Sequence, residues 1–418
     1  MRVLNLAMEA ALADVQKAWT EQRRVDNLPR LVAVKAGQLP TDVRERFLAD
    51  ALQGSGSLLD THPPDQRRID RAMRDAVPGI FDVDAPAAAL FRGVEGLCKR
   101  ATFDFYRGSM GDEVMGMSEV TVEEIAGVAE GSMADCQALE RFTQGYFNSR
   151  NPLFLPNEAG RPADNVEGTL RELASVGEEL ARLLPGSQAL FSSLQEQEQR
   201  LITLAQLAQV SKSRLKFKPG DFNLKSGTPE EINRVRGQTL SRKSDLMKQL
   251  TPLNDRLARR LTLALRLGQT PEISSRLAPA PDVAMRIAAL AGLRDAFPSF
   301  RSLVESFESV SALFPHVEGN IHNEDLVGAI QTASSRWTTL LPGFVEKLAK
   351  VPFPFPGQDA PATMDRYVAG ELPHAEDIGG WVQTVDGSIG RVYDLYGKIM
   401  GELVAVAEKV EGVVKTPA

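Results

Sequence analysis

Residues 228–267 read TPEEINRVRGQTLSRKSDLMKQLTPLNDRLARRLTLALRL. Thr228 offers a hydroxyl oxygen to the first free backbone N–H groups. Pro229 sits at the first helical position, where its missing N–H is not needed, and Glu231 places an acid three residues after the cap. Together they predict a helix from Thr228 to about Leu267, with Pro252 marking a potential kink.

The surrounding composition agrees with a helical reading. Of 418 residues, 43% are hydrophobic but only 6% aromatic. Ala, Leu, Glu and Arg dominate, which favours helix packing over a β-sandwich. A chain of this length can bury a sizeable core. No region alternates apolar and polar residues long enough to predict a sheet, and no fixed-period repeat marks a solenoid. The expected fold class is all-α, an irregular multihelical array or bundle.

Outward from 228–267, the irregular connector Lys216–Gly227 precedes the helix, and a helical pair at Val166–Leu184 and Ser187–Leu215, punctuated by Pro185-Gly186-Ser187, comes before that. On the other side, helices are expected at 281–296, 300–314, 323–351 (with a break near Pro342) and 378–414. Towards the N-terminus, helices are expected over Arg2–Arg24, Leu28–Ala36, Thr41–Gln53 and Pro63–Ala76. Another should bury Leu90, Val94, Leu97, Ala101 and Phe105. Thr121 and Glu124 spell a capping box for a helix running towards Phe147. The proline- and asparagine-bearing loop at 147–165 suggests a division into a helical region 1–150 and a helical extension 151–418.

The net charge of −7 argues against a surface built throughout for nucleic acid and suits a cytoplasmic protein. Cys98 and Cys136 form no CxxC pair and are read as structural thiols. The opening residues carry Glu9 and Asp14 and do not form a cleavable signal, and no uncharged apolar run approaches the ~18 residues of a spanning helix. A Walker loop, a dinucleotide loop and a GxSxG elbow are absent from the sequence.

One stretch stands apart. Leu58–Asp70 reads LLDTHPPDQRRID, after a helix-breaking Gly-Ser-Gly-Ser run. With Thr61, His62, Pro63, Pro64, Arg68 and Ile69, it resembles the segment after the catalytic region in zinc metallopeptidases of the HtpX, CAAX prenyl protease and BepA type. Leu90–Arg107 resembles the segment downstream of that turn in long bacterial members. The resemblance spans about residues 40–110. It implies that His62, with Thr61 and Arg68, faces a metal cleft, and that the remaining helices form a non-catalytic extension packing on or regulating a protease domain.

Zinc is implied only for the complete peptidase, because this chain has no HExxH and so lacks the paired histidines and general-base glutamate of such a site. The expectation is therefore no catalytic residue, no metal ligand and no cofactor in this chain, which would be the C-terminal part of a larger peptidase or a relative without the active site. The plain alternative is that His62 caps or packs beside its own helix.

The rival reading is a helical protein-interaction scaffold. Lys212–Lys248 holds ten Lys or Arg against four acids. Its Lys212, Arg214, Lys216, Lys218 and Lys225 could meet an anionic surface, whether a membrane face, RNA or an acidic protein. Phe217 and Phe222 interleave with those lysines, as in single-strand binders, while solvated salt bridges account for the same letters. His316 and His322, beside Glu318, Glu324 and Asp325, have a ligand-like composition, but their spacing fits no metal motif and a loop with a polar helix start explains the same letters. Self-association fits the amphipathic helices as well as a monomer does.

Overall fold

The computed structural model describes residues 2–20, 22–39, 70–71, 73–74, 91–146, 150–277, 282–317, 322–355 and 361–415. It is an all-α, multihelical protein, with one very small sheet among the described residues. The expected helices at 41–53 and 63–76, and the whole Thr61–Ile69 turn, lie outside the described residues or almost wholly so. The chain forms two compact units, Met1–Gly131 and Ser132–Ala418.

In the first unit, α1 (Arg2–Thr20) is succeeded by a three-residue strand, β1 (Arg23–Val25), where the sequence pattern suggests continuing helix. β1 pairs in parallel with β2 (Ser118–Val120), Val25 opposite Val120. Between them lie α2 (Leu28–Gln38) and α3 (Val94–Met110). Ala7, Ala11, Val15 and Ala18 make one buried face of α1, at the 4,4,3 spacing of a helix. They pack with Leu31, Tyr106, Val114 and Val120.

Asp26, almost fully buried, joins these elements. Its Oδ1 accepts the Val122 N–H at 3.1 Å, and its Oδ2 lies 2.7 Å from Lys99 Nζ. That hydrogen bond and charge hold the Lys99 ammonium above its ordinary pKa. The Thr121 box forms as expected. The Glu124 N–H donates to Thr121 Oγ1 and the Thr121 N–H donates to Glu124 at 2.8 Å, opening α4 (Val122–Thr143), within which the two units divide.

The second unit is organised by a long helical hairpin. α5 (Val166–Lys212) and α6 (Pro229–Gly268) contain 47 and 40 residues, about 70 and 60 Å at 1.5 Å per residue. α7 (Val283–Ser311), α8 (Glu324–Leu348) and α9 (Ile378–Lys415) pack on the hairpin and on one another. α9 buries Trp381, Val385, Val392, Ile399, Leu403, Ala407 and Val410 as one stripe. Where α6 ends against α9, a Cβ on Gly268 would meet Val410 at 2.7 Å, so only glycine permits that approach.

Three prolines correct the expected helix ends or breaks, and a fourth, Pro252, lies in the single helix expected there. Pro185, Pro252, Pro298 and Pro342 all lie inside continuous helices, so α5 is one helix rather than two, and α7 joins the pieces expected at 281–296 and 300–314. An interior proline costs about 3 kcal/mol. Here apolar burial on both sides offsets it: Leu180 and Leu194 flank Pro185, Leu250 and Leu253 flank Pro252, and Ala296 and Phe300 flank Pro298. The proline-bearing loop at 150–165 lies within the second unit, with Leu155 and Ala159 buried and Leu153 O accepting the Tyr396 hydroxyl at 3.0 Å.

A candidate anion-binding trough

In the second unit, α5, α6 and α7 enclose an open trough of about 400 Å³. Its α5 wall runs from Glu198 through Ile202, Ala205 and Ala208 to Lys212, at three- and four-residue steps. Its α6 wall is Pro229, Asn233, Arg236, Leu240 and Lys243, spaced the same way. Each stripe spans four turns, about 21 Å. The hairpin registers antiparallel: Lys243 meets Glu198 near one end, and the Ser211 hydroxyl donates to Gly227 O near the other. Ala205 and Ala208, small residues in mid-wall, leave the space that a larger side chain would fill.

The floor is apolar and packed through aromatic contacts. Phe300, 1% exposed, makes ring contacts with Phe297, Tyr393 and Phe344 at centroid distances of 5.9, 5.3 and 5.3 Å. The Trp337 indole N–H donates to the buried Ser306 hydroxyl at 3.1 Å and fixes α8 behind the floor. Burial is the main reason that the Tyr393 phenol is held above its ordinary pKa, so it stays neutral.

Charge is distributed unequally around that floor. Six cationic side chains line the trough against three carboxylates, Glu198, Glu305 and Glu308. Two of the cations are engaged. Lys243 Nζ lies 2.9 Å from the buried Glu198, which also accepts from the Asn151 amide, and Arg150 grips Glu308 with both terminal nitrogens. Among the described residues, Lys212, Arg236, Arg301 and Arg336 form no ion pair. They are exposed and come from four different helices, α5 to α8. Arg301 lies 5.3 Å from the Phe297 ring centroid.

Of the residues expected at an anionic surface, Lys212 alone lines the trough. Arg214 turns away with a φ of 55° and pairs with Asp325 at 2.8 Å. Lys216, Lys218 and Lys225 are exposed on the connector outside it. Phe217 and Phe222 stack edge to face on each other at 6.0 Å, and Phe217 packs on Leu204, Leu224 and Ile232. Phe217 helps close the end of the hairpin, while Phe222, 36% exposed, leans edge-on against it.

His322 precedes Asn323, whose side chain accepts the Leu326 N–H at 3.0 Å and caps α8. Because Asp325 is committed to Arg214, a helix start accounts for the polar letters at 322–325. Cys98 is half-buried. Thr61, His62 and Arg68 lie outside the described residues. Arg236 and Lys243 fall within the basic segment, but Arg301, Arg336 and Tyr393 carry no sequence signal, because only tertiary packing brings them to the trough. Among the described residues no helix is long and apolar enough to cross a membrane. No protein-family model, curated protein or solved structure matches the chain.

Proposed function

We propose that this chain is a helical binding scaffold, cytoplasmic by its composition, that takes an anionic partner in the trough between α5, α6 and α7. The supporting observation is the set of four cations with no ion pair among the described residues, Lys212, Arg236, Arg301 and Arg336, around an apolar floor in a chain whose net charge is −7. Positive charge gathered locally against the sign of the whole molecule focuses an anion to one place. Glu308 and Glu198 are paired with Arg150 and Lys243, and with Glu305 as the third lining carboxylate the six cations still leave the excess positive. The peptidase-accessory reading rests on Thr61, His62 and Arg68, where no described residue bears on it.

A fluorescein-labelled 15-residue poly-L-glutamate, tracked by anisotropy, tests the proposal. Binding at 50 mM NaCl should weaken at least tenfold by 300 mM, because exposed charges are screened. Absence of binding at low salt, or binding indifferent to salt, would contradict it.

A further inference from the structure

Resting on that anionic-partner reading, we infer that the trough receives an acidic amphipathic α-helix of a partner protein, about 14 residues long. The two lining stripes, Glu198–Lys212 on α5 and Pro229–Lys243 on α6, each run four turns and lie antiparallel. A helix of 14 residues spans the same ~21 Å. Laid along the trough, it buries an apolar stripe on Ile202, Leu240 and Phe297 while its flanks face the walls. Leu240 is 48% exposed, and such a large apolar side chain beside a groove is surface for a partner to cover.

The placement of charge selects this occupant over others. A lipid or other single-headed amphiphile brings its negative charge at one point, whereas the unpaired cations come from four helices around the trough. Glutamates on both flanks of a helix supply charges distributed in the same way. A nucleic-acid strand needs free aromatic faces and continuous positive walls. Here Phe297, Phe300 and Tyr393 are engaged with one another rather than presented along the walls. A bilayer is flat and cannot enter a concave trough.

The test uses the full chain and a labelled 15-residue peptide with leucines at helical 3,4 spacing and glutamates elsewhere, beside a scramble of the same composition. The expected result is at least tenfold tighter binding of the patterned peptide, gain of peptide helicity on binding, and at least tenfold weakening by Leu240→Asp and by Arg236→Glu. Both sites are exposed, and unchanged far-UV circular dichroism and melting verify that the variants fold. Equal affinity for patterned and scrambled peptides would overturn the helix inference while leaving the anionic-partner reading standing. Leu240-dependent binding of dodecyl phosphate, or of phosphatidylglycerol vesicles, without binding of the peptide would overturn it in favour of those ligands. If neither these probes nor poly-L-glutamate binds, both readings fall together.

Discussion

Lys243 Nζ lies 2.9 Å from Glu198 Oε1 across the α5–α6 hairpin, with the glutamate side chain only 6% exposed. The pair ties the two longest helices at one end of the trough, and Asn151 adds a second donor to the same carboxylate. Removing one partner of a buried pair leaves a charge stranded in low dielectric, which costs more than the pair itself contributes. Lys243→Ala leaves Glu198 with the Asn151 amide and the nearby Arg150 charge, and is expected to destabilise the second unit by about 1–3 kcal/mol. Lys243→Ala combined with Glu198→Gln should recover much of that loss, because the stranded charge is gone. Denaturant melts of the two variants check the ordering, and a double variant less stable than Lys243→Ala would contradict it.

Glu231 shows the linkage of charge to stability at the other end of α6. Hydrogen bonds from the Arg234 guanidinium, and secondarily the Lys225 N–H, bring its pKa down to about 2 from 4.5. A carboxylate whose folded pKa is depressed stabilises the fold when ionised. That contribution is complete above about pH 4.5 and disappears as pH falls through about 2. The melting-temperature gap between the native chain and Glu231→Gln should therefore be widest above pH 5 and close between pH 4.5 and 2. A gap that grows on acidification would contradict this.

In the first unit, Asp26 accepts the Val122 N–H where α4 begins and holds Lys99. Asp26→Ala leaves a buried N–H without its acceptor, at a cost of about 1–3 kcal/mol. Hydrogen exchange at the Val122 amide should accelerate markedly, since the bond that protects it is lost. Unchanged exchange there would remove Asp26 from its place in the unit.

Pro185 lies inside α5 and deprives it of one helical hydrogen bond. Pro185→Ala is expected to raise stability by roughly 1–3 kcal/mol, with the interior-proline penalty as its ceiling. A lower melting temperature would show that the packing on either side depends on the proline ring.

How much of this is legible in the sequence depends on the range of each interaction. The caps at Thr121, Thr228 and Asn323 close through hydrogen bonds over three residues, so local letters suffice to find them. Prolines 185, 298 and 342 read locally as helix ends or breaks and Pro252 as a kink, yet burial of distant Leu and Phe partners carries the helices through. The β1–β2 pair joins two three-residue strands almost a hundred positions apart, too short for an alternation to register. Lys212–Lys248 is visible as a run of charge, but which of its members face a site is set by α7 and α8. Arg214 is neutralised by Asp325 from far along the chain, while Arg301 and Arg336 complete the trough from outside the run.

The most direct measurement is therefore a comparison of two charge reversals, each read by anisotropy with labelled 15-residue poly-L-glutamate at 50 mM NaCl. Arg236→Glu with Arg301→Glu removes cations from the trough, while Lys216→Glu with Lys218→Glu removes the same charge from the connector. The trough reversal should abolish binding and the connector reversal should weaken it by no more than about threefold, the size of a screened long-range effect. Loss of binding on connector reversal, with the trough reversal near native, would place the anionic contact on the connector and contradict the account.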